Sequence, residues 1–178
     1  MLDTLDEDRL PAIARSALTS LTAQLDSLAA EIRTLEHQLM VWHRTDETSQ
    51  RLETIPGVGL MTATALSASI PDPSVFKTGR QFAAFLGLVP RQNSSGGKER
   101  LGRISKMGDG YLRRLLVVGA TSVIRRVGTN TSATGEWVRR LLERKPARVA
   151  TVAMAHKTAR IAWAVLVRGE TYRAPTVV

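Results

Sequence analysis

The feature that most constrains this chain is a run of apolar residues near the N-terminus, spaced alternately three and four positions apart. The run consists of Leu18, Leu21, Leu25, Leu28, Ile32, Leu35, Leu39 and Trp42. Neither Gly nor Pro occurs from position 12 to 50, so the spacing predicts one long helix with a narrow apolar seam. Because a helix buried in a globular core carries a broader stripe, the seam favours self-association as a coiled coil through residues 18–42. The alternative is antiparallel packing against later helices of the same chain.

Charge is distributed unevenly along the 178 residues. Residues 1–50 contain four basic and nine acidic side chains, whereas residues 51–178 contain 21 basic and seven acidic ones. The formal charge is therefore +14 for the second part and +9 for the whole chain. A basic body of this kind indicates a polyanionic partner, and nucleic acid is the leading candidate.

Composition excludes several classes of protein. The chain has no Cys, which rules out disulfides, Cys-based zinc sites and thiol catalysis. No apolar run approaches the roughly 20 residues that span a bilayer, and the charged N-terminus lacks the apolar core of a secretory signal. The three His residues form no paired motif, so we predict no metal site in this chain. We expect a cytoplasmic protein without a membrane partner.

The order of apolar stretches and breaks predicts a mainly all-α fold. We divide the chain into an acidic leader (1–13), a coiled-coil helix (14–50) and a compact helical domain (51–178). Residues 88–108 are polar and long for a connection inside a compact domain, and we predict a long basic loop or a small hairpin there.

Local signals place the helices of the compact domain. Thr78 and Asp109 are residue types that cap helix N-termini, and each precedes an apolar periodic stretch. The last helix is predicted to run from about Ala147 to Arg168, with Gly169 ending it.

Residues 55–59, Ile-Pro-Gly-Val-Gly, interrupt the helical pattern and look like the turn of a helix-hairpin-helix module. Gly57 and Gly59 permit positive φ and would let a phosphate come close, while N–H groups of the next helix would face the anion. Such contacts recognise phosphate rather than base sequence. The alternative is a tight corner between helices that binds no ligand.

Residues 88–108 contain the side chains best suited to take part in a reaction. Ser94 and Ser95 precede two glycines in a segment that holds Arg91, Lys98, Arg100, Arg103 and Lys106. A serine hydroxyl reacts only when a base, a metal or stabilising cations assist it, and guanidinium groups suit a scissile phosphate. No His or carboxylate pair lies close in sequence to act as the base. From the residues alone, the simpler interpretation is a flexible basic loop that binds phosphates without chemistry.

An ordered set of motifs resembles the C-terminal, serine-bearing domain of insertion-sequence 110 type transposases, relatives of the pilin-gene invertases and bridge-RNA-guided recombinases. The motifs are Gly87-Leu88-Val89-Pro90, Ser95-Gly96, the run from Gly102 to Asp109, Leu112-Arg113, residues 55–59, Phe82-Ala83, Ala155-His156-Lys157, Ala159-Arg160 and Trp163. The resemblance covers about residues 50–170. The heptad helix also resembles the coiled-coil segment that those enzymes place before this domain.

The resemblance implies a role in DNA strand exchange. Carried over by position, Ser95 would be the nucleophile that becomes joined to DNA, and Ser94 is its less favoured neighbour. DNA is the implied partner, and the use of a guide RNA stays open. The residues expected to grip nucleic acid are Gly57, Gly59, Arg91, Lys98, Arg100, Arg103, Lys106 and Arg113. In the family, an N-terminal RuvC-like domain adds an acidic metal-binding cluster, where we expect Mg²⁺.

Residues 1–50 do not resemble that acidic domain, and the carboxylates of residues 3–8 lie too close in sequence to surround a metal. We therefore expect the chain to need a RuvC-like domain in cis or trans and to be inactive by itself. Two rival hypotheses are a non-enzymatic helix-hairpin-helix module that binds DNA and a structural dimeric adaptor whose basic face serves solubility. His156 either assists the site or has a structural role in the last helix.

Overall fold

The computed structural model describes residues 10–93, 101–129 and 131–174. Within these ranges the helices are α1 (Ala12–Thr45), α2 (Glu47–Glu53), α3 (Leu60–Ser69), α4 (Gly79–Phe85), α5 (Gly110–Arg125), α6 (Ala133–Leu142) and α7 (Ala147–Arg168), and the strands are β1 (Pro90–Gln92) and β2 (Leu101–Ile104). The mainly all-α prediction is confirmed. None of the helices in these ranges is long and apolar enough to cross a membrane. The chain divides into two units, Met1–Val41 and Trp42–Val178.

The first unit consists, in its described part, mainly of α1, which continues unbroken for 34 residues. Most of its seam side chains are exposed in the single chain, and those of Leu21, Leu25, Leu28, Ile32 and Leu35 are between 54% and 66% exposed. An apolar stripe of this kind matches the heptad pattern. Self-association through it stays a prediction.

Asp46 ends the first helix earlier than the sequence predicted. We expected a helix through residue 50, but α1 stops at Thr45 and a second helix begins at Glu47. The backbone of Asp46 is extended (φ −102°, ψ 101°), and its carboxylate accepts a hydrogen bond from the Ser49 N–H at 2.9 Å. Asp46 is therefore the N-cap of α2, and its carboxylate competes with continuation of α1.

Asp46 also connects α2 to α3, because its second carboxylate oxygen accepts a hydrogen bond from the Ser67 hydroxyl at 2.8 Å. Burial alone would raise the pKa of Asp46, but the hydrogen bonds from Ser49 and Ser67 outweigh it and lower the pKa. Beside this cap, the buried His43 ring bonds the Ser49 hydroxyl at 2.7 Å and the Glu53 carboxylate at 2.9 Å. The end of α1 is thus bonded to α2 through polar groups.

The core of the second unit lies where α7 packs against α4 and α5. Small residues on α7, among them Ala155, Ala159 and Ala162, are fully buried and allow the helices to approach closely. The largest fully buried side chains around them are Phe82, Leu52, Ile55, Leu66, Leu86, Leu88, Leu112, Leu116 and Met154. This packing fixes the ends of α4, α5 and α7, which carry the polar residues described below.

The predicted helix boundaries in this unit are confirmed. The Thr78 hydroxyl accepts from the Gln81 N–H, and the Asp109 carboxylate accepts from the N–H groups of Tyr111 and Leu112. Gly169 ends α7 in the left-handed conformation, at φ +67°. Each of these signals is local, since the capping atom and the helix terminus lie within three residues.

Candidate nucleic-acid interface

A two-stranded ribbon carries the segment that the sequence analysis singled out for chemistry. In this ribbon, β1 and β2 are antiparallel, with Pro90 opposite Ile104 and Gln92 opposite Leu101. A backbone hydrogen bond extends the pairing towards α4, from the Ser105 N–H to the Val89 carbonyl at 2.8 Å. Two paired strands are thus observed within residues 88–108, while the connection between them, residues 94–100, lies outside the described residues.

The base of the ribbon is held against the end of α4 by two glycines. Gly87 and Gly108 have positive φ, at +69° and +103°. A Cβ atom on Gly108 would overlap the Phe85 carbonyl oxygen, and one on Gly87 would overlap the Met107 carbonyl oxygen. Any larger residue would force the backbones apart, so both glycines are required for this contact. The ribbon therefore leaves the core at a fixed point.

Three cations lie on the described part of the ribbon. Arg91, Arg103 and Lys106 are exposed. One guanidinium nitrogen of Arg91 also donates to the Ser105 carbonyl at 3.2 Å, across the ribbon. Lys106 has a left-handed backbone at φ +55°. These side chains are accessible to a phosphate backbone.

Arg113 has a different environment from the ribbon cations. It is half-buried on the first turn of α5, and its Nη1 atom donates to the Leu86 carbonyl at 3.0 Å and to the Asp109 carbonyl at 3.4 Å. The guanidinium thereby bonds the end of α4 to the start of α5. Its role in nucleic-acid binding stays a prediction. The two hydrogen bonds give Arg113 a structural role as well.

Ser95, Lys98 and Arg100 lie outside the described residues, within the segment 94–100 that joins β1 to β2 along the chain. The ends of the connection are described, because Gln92 and Leu101 are paired across the ribbon. The predicted nucleophile therefore belongs to a segment whose two ends are held together beside Arg91 and Arg103.

The turn at residues 55–59 lies between α2 and α3, as predicted, but its two glycines differ. Gly57 has φ +84°, and a Cβ atom there would lie 2.8 Å from both the Gly119 oxygen and the Val123 Cγ2 atom. A Cβ atom on Gly119 would in turn overlap the Gly57 oxygen. The turn and α5 thus meet backbone to backbone, which accounts for Gly57 without a ligand.

Gly59 is the glycine of this turn that stays accessible. It is exposed, and a Cβ atom there would meet nothing within 4 Å. It is the N-cap of α3, where no side chain caps the helix. Backbone N–H groups at an uncapped helix start attract anions. The helix-hairpin-helix prediction therefore depends on Gly59 and the start of α3.

Three polar residues of α7, His156, Lys157 and Arg160, lie near the start of α4. Burial lowers the pKa of His156, and the nearby charges of Arg160 and Arg80 lower it further, so the neutral imidazole is favoured at pH 7. Burial also lowers the pKa of Lys157, whose ammonium lies 4.3 Å from the centre of the Trp137 ring. Sequence reasoning missed Arg80, because its proximity to α7 arises only from folding.

Across residues 10–93, 101–129 and 131–174, no group of three or more His, Asp or Glu side chains could hold a metal ion. The acidic residues 3–8, which we predicted not to form a metal site, lie outside these ranges. The prediction that this chain holds no metal of its own thus stays a prediction.

Comparisons with known proteins agree with the motif analysis. Residues 49–136 match the family described as Transposase IS116/IS110/IS902. They run from α2 into α6 and include the turn at 55–59, the ribbon and α5.

Individual relatives extend the similarity over most of the chain. A Pseudomonas aeruginosa protein named "Probable family 20 transposase" is 49% identical over 164 residues, which is 92% of this chain and 48% of that protein. The transposase for insertion sequence element IS1111A of Coxiella burnetii is 42% identical over 177 residues, 93% of this chain and 49% of that protein. The pilin gene-inverting protein of Moraxella bovis is 38% identical over 69 residues, 36% of this chain and 21% of that protein.

The chain spans about half the length of the transposases that it matches. The matched region contains the ribbon, the turn and the segment with Ser95, the features on which the motif resemblance was based. The chain therefore carries the transposase domain of the IS116/IS110/IS902 family.

Proposed function

We propose that this chain supplies the DNA-binding surface and the nucleophilic serine of a DNA transposase that exchanges strands. The observation that carries the proposal is the family match over residues 49–136, which includes Ser95 and the ribbon that holds its segment. Membership in a transposase family implies DNA recombination, and the exposed cations of the ribbon suit a phosphate backbone.

The proposed reaction at Ser95 is a transesterification. The serine Oγ atom attacks a backbone phosphorus, an Oγ–P bond forms, and the bond from phosphorus to a deoxyribose oxygen breaks. The serine proton ends on the departing deoxyribose oxygen. One phosphodiester replaces another, so the reverse step can rejoin DNA without an outside energy source.

The ribbon cations have a defined task in this reaction. A nucleophile approaching a phosphate meets negative charge, which grows on the phosphate oxygens in the transition state. Arg91 and Arg103 flank the segment on the two strands, and Lys106 follows at its base. We assign to these three side chains, with Lys98 and Arg100 of the segment, the binding of DNA or of a guide RNA.

An acidic RuvC-like domain, in cis or in trans, completes the proposal. Family resemblance suggests that such a domain brings Mg²⁺, yet the described residues of this chain contain no group that fits a metal. No step is therefore assigned to a metal on this chain. What this chain provides is the serine, the cations that hold phosphates and the scaffold that positions both.

The exposed seam of α1 supports assembly of more than one copy. Leu21, Leu25, Leu28, Ile32 and Leu35 are more than half exposed in the single chain. Pairing with the same seam of a second copy would bury these side chains at about 25 cal/mol per Å² of apolar surface. We propose a homo-oligomer through residues 18–42, which would bring two serine segments into one assembly.

The experiment that tests the serine is capture of a covalent protein–DNA adduct. The chain is fused to, or mixed with, the acidic domain of a longer relative and incubated with labelled element-end DNA and Mg²⁺. We expect a slow band on a denaturing gel that disappears after protease treatment. Ser95→Ala should abolish the band, whereas the matched variant Ser94→Ala should retain much of it.

Binding is measured in parallel, so that chemistry and affinity are separated. Duplex affinity should fall steeply between about 50 and 200 mM salt, since each neutralised phosphate contributes a log–log slope of about −0.9. Ser95→Ala should leave this dependence unchanged. Loss of the band in Ser94→Ala alone would reassign the nucleophile, and absence of any adduct with intact DNA binding would favour the non-enzymatic module. Affinity that ignores salt would refute nucleic-acid binding altogether.

A further inference from the structure

A concave groove of about 930 Å³ lies on the second unit, and none of the predicted site residues lines it. Its walls are the start of α4 at residues 78–80, the C-terminal half of α7 and residues 170–173, which follow α7. The walls therefore come from three segments that only folding brings together. A volume of this size suits a ligand as large as a drug molecule.

Positive charge dominates the lining of the groove. The basic side chains are Arg80, Lys157, Arg160, Arg168 and Arg173, and the acidic one is Glu170. In the part of the chain that the structure describes, none of the five cations forms an ion pair with a carboxylate. Like charges at close range repel one another. An anionic ligand would relieve this repulsion along the whole groove.

The lining of the groove also includes apolar and aromatic side chains. Ile161, Ala164 and Val165 contribute aliphatic surface, and Trp163 and Tyr172 contribute rings that are partly exposed. Apolar and cationic side chains in one groove offer two kinds of contact at once. A ligand that satisfies both must combine negative charges with flat apolar groups.

The Trp163 ring and the backbone at Tyr172 are held in place before any ligand arrives. The Trp163 Nε1–H donates to the Phe76 carbonyl at 3.1 Å. The backbone N–H of Tyr172 donates to the Thr54 hydroxyl at 2.9 Å, and this bond holds the segment after α7 against the body of the domain. A preorganised surface loses less entropy when a ligand binds.

We infer that this groove binds a short stretch of single-stranded nucleic acid, with phosphates on the arginines and bases on the apolar and aromatic side chains. The inference rests on the proposed nucleic-acid function and adds a second binding site to the ribbon. Single strands expose their base faces, and aromatic residues beside a cationic path are the usual means of binding them. A duplex hides those faces. An acidic peptide would match the cations but leave the apolar and aromatic side chains unused.

The pKa of His156 would report directly whether a phosphate occupies the groove. Arg80 from α4 and Arg160 from α7 both line the groove and both lower the pKa of this histidine. A phosphate bound between the two arginines would offset their charge, and the pKa of His156 would rise. A purely structural role of the arginines would not produce this change.

The test compares two double variants that lose equal charge. Arg160→Ala/Arg168→Ala removes two exposed cations of the groove, whereas Arg125→Ala/Arg126→Ala removes two exposed cations at the end of α5, outside its lining. Affinities for a fluorescein-labelled 12-nucleotide oligothymidine and for a duplex are measured by anisotropy. We expect the groove variant to bind the single strand about tenfold more weakly, with a salt slope reduced by about 1.4.

The control variant and the duplex determine the interpretation. The control should lose much less single-strand affinity, and duplex affinity should change equally in both variants. In the wild type, histidine NMR should show the pKa of His156 rising when oligothymidine binds. Circular dichroism checks that both variants remain folded, which we expect because the removed side chains are exposed.

The following results would overturn the inference. Equal loss of single-strand affinity in both variants would indicate general charge attraction, and retained affinity in the groove variant would indicate a different site. Displacement of the oligonucleotide by polyglutamate at equal charge would favour an acidic peptide. If the wild type binds duplex DNA and the groove variant binds the single strand as tightly as the wild type does, the groove inference is refuted but the proposed function is not. If the wild type binds neither nucleic acid, the proposed function fails as well.

Discussion

The contact between Gly57 and Gly119 leads to a prediction about stability. Packing and helix propensity predict changes of opposite sign when Gly119 is replaced by Ala. Gly119 lies inside α5, where replacement of Gly by Ala normally stabilises a helix by about 1 kcal/mol. In this fold, the added methyl would overlap the backbone oxygen of Gly57. We expect Gly119→Ala to destabilise the protein.

The magnitude follows from what the methyl group meets. Overpacking of a core costs about 1–3 kcal/mol, and more when the neighbour cannot move. The neighbour here is a carbonyl in a turn whose φ is already +84°, and Val123 lies on its other side. With about 3 kcal/mol for the overlap and about 1 kcal/mol regained from propensity, the free energy of unfolding should fall by about 2 kcal/mol.

The assay is equilibrium unfolding in urea at fixed protein concentration. For an m value of about 2 kcal/mol per molar, the midpoint of Gly119→Ala should fall by about 1 M. Gly128→Ala is the matched control, because a Cβ atom there meets nothing within 4 Å, and its midpoint should stay within error of the wild type. A Gly119→Ala protein as stable as the wild type, or more stable, would show that the turn and α5 do not meet as described.

Three further predictions concern assembly, acid stability and Arg113. Leu25→Lys/Ile32→Lys should convert an oligomer into a monomer by light scattering, and a wild-type monomer would contradict the coiled coil. Asp46→Ala should lower the free energy of unfolding by about 1–2 kcal/mol at pH 7. Because the folded pKa of Asp46 is lowered, its contribution to stability is present above pH 3.8 and is lost as pH falls through the folded value. A stability that does not change over this pH range would contradict the prediction. Arg113→Lys keeps the charge but not the hydrogen bonds, so it should lower the melting temperature nearly as much as Arg113→Ala, whereas full recovery of DNA binding and stability by Lys would indicate a phosphate ligand.

The parts of the fold that could be predicted from sequence are those fixed over a few residues. Thr78, Asp109 and Gly169 were assigned to helix ends correctly because the capping group and the terminus are neighbours along the chain. Asp46 shows the limit of this reasoning. It has a capping side chain too, but the heptad spacing favoured continuing the helix, and the bond to Ser67 that helps fix the break comes from 21 residues away.

Motif resemblance identified the family, but the structure gives packing roles to some of the motif residues. Gly57 was expected to admit a phosphate, yet it meets Gly119 of α5, and Gly59 is the open position. Arg113 was expected to bind nucleic acid, yet its guanidinium bonds the Leu86 carbonyl. A motif records that a residue type is needed at a position, and close packing of backbones requires glycine as strictly as a ligand does.

The glycines together show how this domain holds its turn and its ribbon in place. Gly108 holds the ribbon against Phe85 at the end of α4, and Gly57 holds the preceding turn against Gly119 of α5. Both anchors are backbone contacts, which leave little room for rotation or sliding. Catalysis by positioned groups loses efficiency when the reacting atoms are displaced by about 1 Å. The ribbon that carries Arg91 and Arg103 leaves the core beside Gly108, so a change at Gly108 should displace these two cations rather than remove a ligand.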